Sequence, residues 1–128
     1  MTYPQPPISP ERMLREFHSK FPAAPGQSTA DGGLSDEQCE FRHRLLLEEV
    51  IELRAAVGQR DRERILKEAA DVVYAAVGTA VAFGLPFDAG LAEVHRSNMT
   101  KTANATCEAT KGPGYRPADI ASILGSEQ

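Results

Sequence analysis

The chain has 128 residues, enough for one domain of ordinary size with a single core. Eighteen acids against 14 bases give a net charge of −4; the bases are dispersed and aromatics make up only 6%, so no nucleic-acid-binding stripe is expected. Cys39 and Cys107 stand far apart and outside any C-x-x-C motif, which argues against a disulfide framework or a zinc site. The start Met1–Pro7 has neither the basic nor the apolar region of a signal peptide, so a cytoplasmic protein is expected.

Six of the nine prolines fall at or before Pro25, and residues 1–9 read as extended. Ser9 before Pro10 is a helix start, with serine as N-cap and proline in the first turn. That helix should run to about Phe21, where Pro22 stops it, with Met13, Leu14, Phe17 and Phe21 as its apolar stripe. Ala23 to Leu34 holds three glycines and reads as a loop. Ser35-Asp36-Glu37-Gln38 is a capping box that opens a second helix, with Leu45, Leu46, Val50, Leu53 and Val57 at helical spacing and Gly58 as C-cap. A third helix is expected from about Asp61 to Phe83, closed by Gly84, and a fourth from near Pro86 to about Asn98. The third is apolar on nearly every face, so it must be buried, in part against a second copy of the chain. Its uncharged stretch Val72–Pro86 is too short to span a bilayer, and no membrane partner is expected. Thr100 to Pro117 shows no sustained periodicity and reads as a loop or tail, and no strand is expected anywhere.

Two acid pairs carry the chemistry. Glu49 and Glu52 are i,i+3, as are Glu68 and Asp71, so each pair shares one face of its helix. Fifteen residues separate Glu52 from Glu68, room for one helix to end, turn and return beside itself. Four converging carboxylates repel unless cations lie between them, and Glu68 and Asp71 sit in the most apolar helix. Lys67 and Arg64 could neutralise one of these acids, but Lys67 is rotated about 100° from Glu68 on the wheel. A hard divalent ion resolves the conflict, and magnesium, with manganese as a substitute, is the expected cofactor. With Glu48 and these four set aside, 13 acids face 14 bases, so the net acidity resides in this site. A di-iron bundle would need Glu-x-x-His on two helices; Glu40-x-x-His43 is one instance, but Glu68-x-x-Asp71 is not a second. His43 and His95 have no ligand partner at useful spacing.

The constellation Glu49-x-x-Glu52, fifteen residues, Glu68-x-x-Asp71 resembles the signature of the all-α nucleoside triphosphate pyrophosphohydrolases, the superfamily of MazG-like enzymes, dimeric dUTPases and phosphoribosyl-ATP pyrophosphohydrolases. Arg15-Glu16-Phe17-His18 is similar to its first-helix motif. Asp71-Val72-Val73-Tyr74 with Gly78–Gly84 is similar to its third helix, and Glu93–Lys101 to its fourth. Lys111–Pro117 resembles the tail of many MazG-like members, so the likeness runs from about residue 10 to 120.

The resemblance implies one MazG-like domain over 1–128, an all-α four-helix bundle assembled as a homodimer or homotetramer, with residues 100–128 as a tail over the active site. It implies magnesium-dependent hydrolysis between the α and β phosphates, releasing a monophosphate and pyrophosphate. Glu49, Glu52, Glu68 and Asp71 would be the metal ligands, and Glu48 would orient or deprotonate the attacking water. Phe17 and His18 would border the base pocket, and Tyr74, one turn beyond Asp71, would position a substrate group. Asn98 and Lys101 would contact the nucleotide and its phosphates, with Lys111, Tyr115 and Arg116 closing over them. The short form of the chain leans toward housecleaning of dUTP or other non-standard nucleotides. Phosphoribosyl-ATP is the alternative substrate, and a non-catalytic helical interaction module is the alternative outside enzymes.

Overall fold

The structure is a computed structural model, described here for residues 8–21 and 33–125. Most of the expected extended start and of the 23–34 loop lies outside those residues. The elements in chain order are α1 (Pro10–Lys20), α2 (Asp36–Gly58), α3 (Arg62–Ala82), α4 (Phe87–Asn98), the paired strands β1 (Thr102–Ala103) and β2 (Ala109–Thr110), and α5 (Ile120–Gly125). The fold is all-α, as expected, and it forms two compact units, one ending at Leu85 and the other beginning at Pro86. No single helix among the described residues is long and apolar enough to cross a membrane.

In the first unit the helix boundaries follow local chemistry. The Ser9 hydroxyl accepts from Arg12 N and starts α1. At α2 the capping box is complete: Ser35 Oγ accepts from Gln38 N while Gln38 Oε1 accepts from Ser35 N. Asp61 caps α3 by accepting from Arg64 N. Gly84, at φ 70°, ends α3, with Gly84 N donating to Val81 O and Leu85 N to Ala80 O.

The end of α2 departs from expectation. Gly58 stays helical, and the left-handed residue is Arg60, at φ 55°. Arg60 N donates to Val57 O and Asp61 N to Ala56 O, the same closure that glycine provides after α3. The turn must deliver Asp61 in extended backbone as the cap of α3, so the left-handed position falls on residue 60 whatever its identity.

The α2 stripe also differs from the apolar reading. Val50 and Val57 are exposed; Leu45, Leu46 and Leu53 are half-buried as expected, and Arg42, Glu49 and Ala56 are covered too, with Gln38, Cys39 and Phe41 nearer the start of α2. α3 returns along α2 after the turn, and its own covered positions include Ile65, Glu68, Val72, Ala75, Thr79 and Ala82. Charged Arg42 and Glu49 are covered beside Leu46 and Leu53, so hydrophobic periodicity finds only part of the α2 stripe. α1 packs on α3 through buried Leu14. A Cβ on Gly78 would stand 2.9 Å from Arg42 Nη1 and 3.3 Å from Leu14 Cδ1, so glycine lets α1, α2 and α3 approach there.

In the second unit, the segment expected as a featureless tail is built. β1 and β2 pair antiparallel, Thr102 with Thr110 and Ala103 with Ala109. Asn104 Oδ1 closes the connecting loop by accepting from Thr106 N, Thr106 Oγ1 and Glu108 N. Strands of two residues are too short for alternation to register. Asp119 accepts from Ser122 N and Ser122 Oγ at the start of α5, which packs on α4.

Candidate active site

The helical hairpin of α2 and α3 makes the site. Glu52 and Glu68 lie equally far along the chain from Arg60, and so do Glu49 and Asp71. The return of α3 therefore sets Glu68 against Glu52 and Asp71 against Glu49. One carboxylate oxygen from each of the four lies within 4.8 Å of the others. Glu68 is buried, with 8% of its surface exposed, and Glu49 and Asp71 are half-buried.

The electrostatics are unfavourable as they stand. Burial pushes the Glu49 carboxyl above its ordinary range, and the charges of Glu52, Asp71 and Glu68 add to the rise. Burial also raises Glu68, followed by a carboxyl–carboxyl hydrogen bond with Glu52 that requires a shared proton. Glu49 Oε2 and Glu68 Oε2 are buried with no hydrogen-bond partner. Contrary to the helix-wheel expectation, Lys67 serves the cluster: Nζ is 2.6 Å from Asp71 Oδ2 and 3.8 Å from Glu68 Oε1. Its main partner is Asp71, one turn on, rather than its neighbour in sequence. The hydrogen bond and charge of Asp71, then the charge of Glu68, raise the Lys67 pKa. One largely exposed ammonium cannot satisfy four acids. Orphaned buried oxygens within a compact all-oxygen donor set fit a hard divalent cation such as magnesium or manganese.

Glu48 is exposed and outside the four-acid cluster; it lines a shallow cleft with Phe41, Arg44 and Leu45. Phe17 and Tyr74 come together, rings edge to face with centroids 5.5 Å apart. With Ile8, Met13, Glu16 and Lys20 they line a cavity of about 400 Å³ beside α3. Burial, then the charge of Glu16, raises the Tyr74 pKa. His18 faces Arg42 instead, its Nε2 3.2 Å from Arg42 Nη2. Burial and the Arg42 charge hold its pKa below the usual imidazole value, so the ring is neutral near pH 7 and accepts at Nε2.

Five predicted residues of the second unit are placed by their contacts. Asn98 ends α4 and its carbonyl accepts from Lys101 N. Lys111 Nζ stands 5.4 Å from the centroid of the Tyr115 ring. Arg116 is bonded through its backbone, N to Thr100 Oγ1 and O from Ser97 Oγ.

Sequence reasoning missed Arg42 and set Lys67 aside by testing it against Glu68 alone. Arg42 shares the seam of Glu49, a week of residues earlier on the same heptad face, and that spacing is the signal that it is buried. Lys67 shows itself by its i,i+4 relation to Asp71.

A search of curated proteins finds no match to the chain. The family model described as phosphoribosyl-ATP pyrophosphohydrolase matches residues 11–98, from the first turn of α1 to the end of α4, and so takes in all four acids. The chain belongs to this pyrophosphohydrolase family, within the all-α nucleoside triphosphate pyrophosphohydrolase superfamily.

Proposed function

We propose that this protein is a divalent-metal-dependent nucleotide pyrophosphohydrolase that cleaves between the α and β phosphates, releasing a monophosphate and pyrophosphate. The observation that carries it is the convergence of Glu49, Glu52, Glu68 and Asp71 with two buried oxygens left without donors. These four would hold magnesium, or manganese in its place, and the bound ions would neutralise phosphate oxygens and lower the pKa of a bound water.

The chain's own groups supply the rest. Glu48, one turn before Glu52 on α2, takes the proton of the attacking water, a contribution of about 10²–10⁴-fold for a positioned base. Lys67 holds the Asp71 carboxylate in place. The Phe17–Tyr74 cavity takes the apolar face of the base, with His18 bracing α1 against Arg42 behind it. Asn98, Lys101, Lys111, Tyr115 and Arg116 bind the phosphate chain, the cations by charge-assisted hydrogen bonds.

The substrate we favour is dUTP or another non-standard nucleoside triphosphate. The description of the matching family favours a second reading, phosphoribosyl-ATP, which breaks the same bond. The protein works as a homodimer or homotetramer, since Ile51, Leu66 and Val73 leave apolar surface uncovered on α2 and α3; a cytoplasmic location belongs to the same reading. A panel of canonical and non-standard nucleoside triphosphates and phosphoribosyl-ATP, assayed with magnesium, tests the proposal. Pyrophosphate should be the first inorganic product from at least one of them. Orthophosphate first, or no product from any, overturns it.

A further inference from the structure

The second unit devotes a buried serine to holding one peptide of its tail. Ser97 is 3% exposed, and its hydroxyl donates to Arg116 O at 2.8 Å. Thr100, one turn on, takes the other side of the same residue: Arg116 N donates to Thr100 Oγ1 at 2.8 Å, while Thr100 Oγ1 donates to Ser97 O at 2.7 Å. The Tyr115 hydroxyl lies 3.4 Å from Ser97 Oγ. Two further bonds fix the following residues. Arg96 Nη2 donates to Pro117 O at 3.1 Å, and Asp119 N donates to Glu93 Oε1 at 3.0 Å. Glu93 is itself clamped by Arg96, whose hydrogen bonds, with that of Asp119 N, hold its pKa down to about 2.

The segment so held is short and cationic. Tyr115 N donates to Gly112 O, closing a turn that folds Lys111 over the Tyr115 ring. A Cβ on Gly112 would collide with Thr102 Oγ1, so the turn also sits hard against β1. Lys111 and Arg116 thus flank one anchored aromatic ring, and both side chains are exposed. Free, a glycine- and proline-containing stretch of this kind would have to be ordered on meeting an anion; anchored, it has met that cost in advance.

We propose that Ser97 and Thr100 are positioning residues that grip the Arg116 peptide, so that Lys111 and Arg116 present a preformed binding surface for a polyphosphate. This rests on the pyrophosphohydrolase reading for the identity of the ligand, and its test uses inorganic pyrophosphate as well as turnover. The variants are Ser97→Ala, Thr100→Val and, as the hydroxyl-retaining control, Thr100→Ser. Calorimetry with magnesium pyrophosphate should give affinities weakened about three- to tenfold in Ser97→Ala and Thr100→Val, with Thr100→Ser close to the parent. Amide exchange should show Arg116 N–H opened in Thr100→Val and closed in Thr100→Ser. On the best nucleotide of the panel, KM should rise by a similar factor with kcat changed much less.

An opened Arg116 amide with unchanged pyrophosphate affinity overturns the proposal, as does a parent protein that binds no pyrophosphate. Turnover failing on every nucleotide, with pyrophosphate binding still lost in Thr100→Val, would defeat the enzyme reading and leave the grip standing.

Discussion

Glu68 concentrates the conflict that defines the site. Its side chain is buried, its Oε2 has no donor, and its neighbours include Glu52 and Asp71. A buried carboxylate crowded by like charges destabilises the fold unless it is protonated or paired, and one weak contact with Lys67 does little to offset that. Glu68→Gln removes that charge at nearly constant volume. Without metal, its melting temperature should exceed the parent's by a few degrees. Millimolar magnesium should raise the parent's melting temperature by mass action and leave the variant's almost unmoved. Scanning calorimetry with and without magnesium checks both, and an undiminished magnesium response in the variant would remove Glu68 from the ligand set. The four acids could be read from the chain because carboxylates at i,i+3 inside an apolar helix contradict their surroundings. Lys67 and Arg42 could not be read so easily: long cationic side chains conceal which neighbour they reach and how deeply their stems are buried.

At the scale of elements, caps and turns set the hairpin, and the turn after α2 carries a conformational burden. Arg60 is held at φ 55°, a region that costs a non-glycine residue roughly 1 kcal/mol or more. Arg60→Gly relieves that cost but enlarges the freedom of the unfolded chain, so the net gain should be about 0.5–1 kcal/mol. Urea unfolding of variant and parent at equal m-value measures it; a loss of stability would mean that the Arg60 side chain contributes more than its backbone costs. The starts of α1 and α2 were evident from Ser9 and Ser35 because an N-cap is a local event between residues three apart. The end of α2 was not, because glycine marks where a left-handed residue is cheap and not where the next helix demands one. The seam of α2 was only partly legible for a related reason. Arg42 and Glu49 occupy it, and a pattern search that counts only apolar residues passes over both.

For the molecule as a whole, the uncovered apolar surface is the feature without an internal explanation. Leu47, Val50, Ile51 and Val57 of α2 and Leu66 and Val73 of α3 are all exposed, Leu66 at 75%. Burying such side chains on association returns about 25 cal/mol per Å², and surfaces of this kind mark contacts with other chains. Sedimentation equilibrium at micromolar concentration should therefore give a mass at least twice that of the 13.9 kDa chain, and a monomer would remove self-association from the proposal. Organisation beyond residue 99 was the least accessible from sequence. A two-residue ladder and a six-residue helix carry no period, and what orders them is side-chain bonding from Ser97, Thr100, Asn104 and Asp119.

The equal distances of the two acid pairs from Arg60 make the hairpin a ruler. One extra residue between Glu52 and Glu68 would rotate one pair by about 100° out of the seam and slide it along its partner. Lengthening can preserve the cage only in matched steps, about two turns added to each arm together, so that facing and level are both restored. Spacers between the two acid motifs are thus quantised, and a chain whose spacer breaks that rhythm must absorb the excess in the turn rather than in the helices.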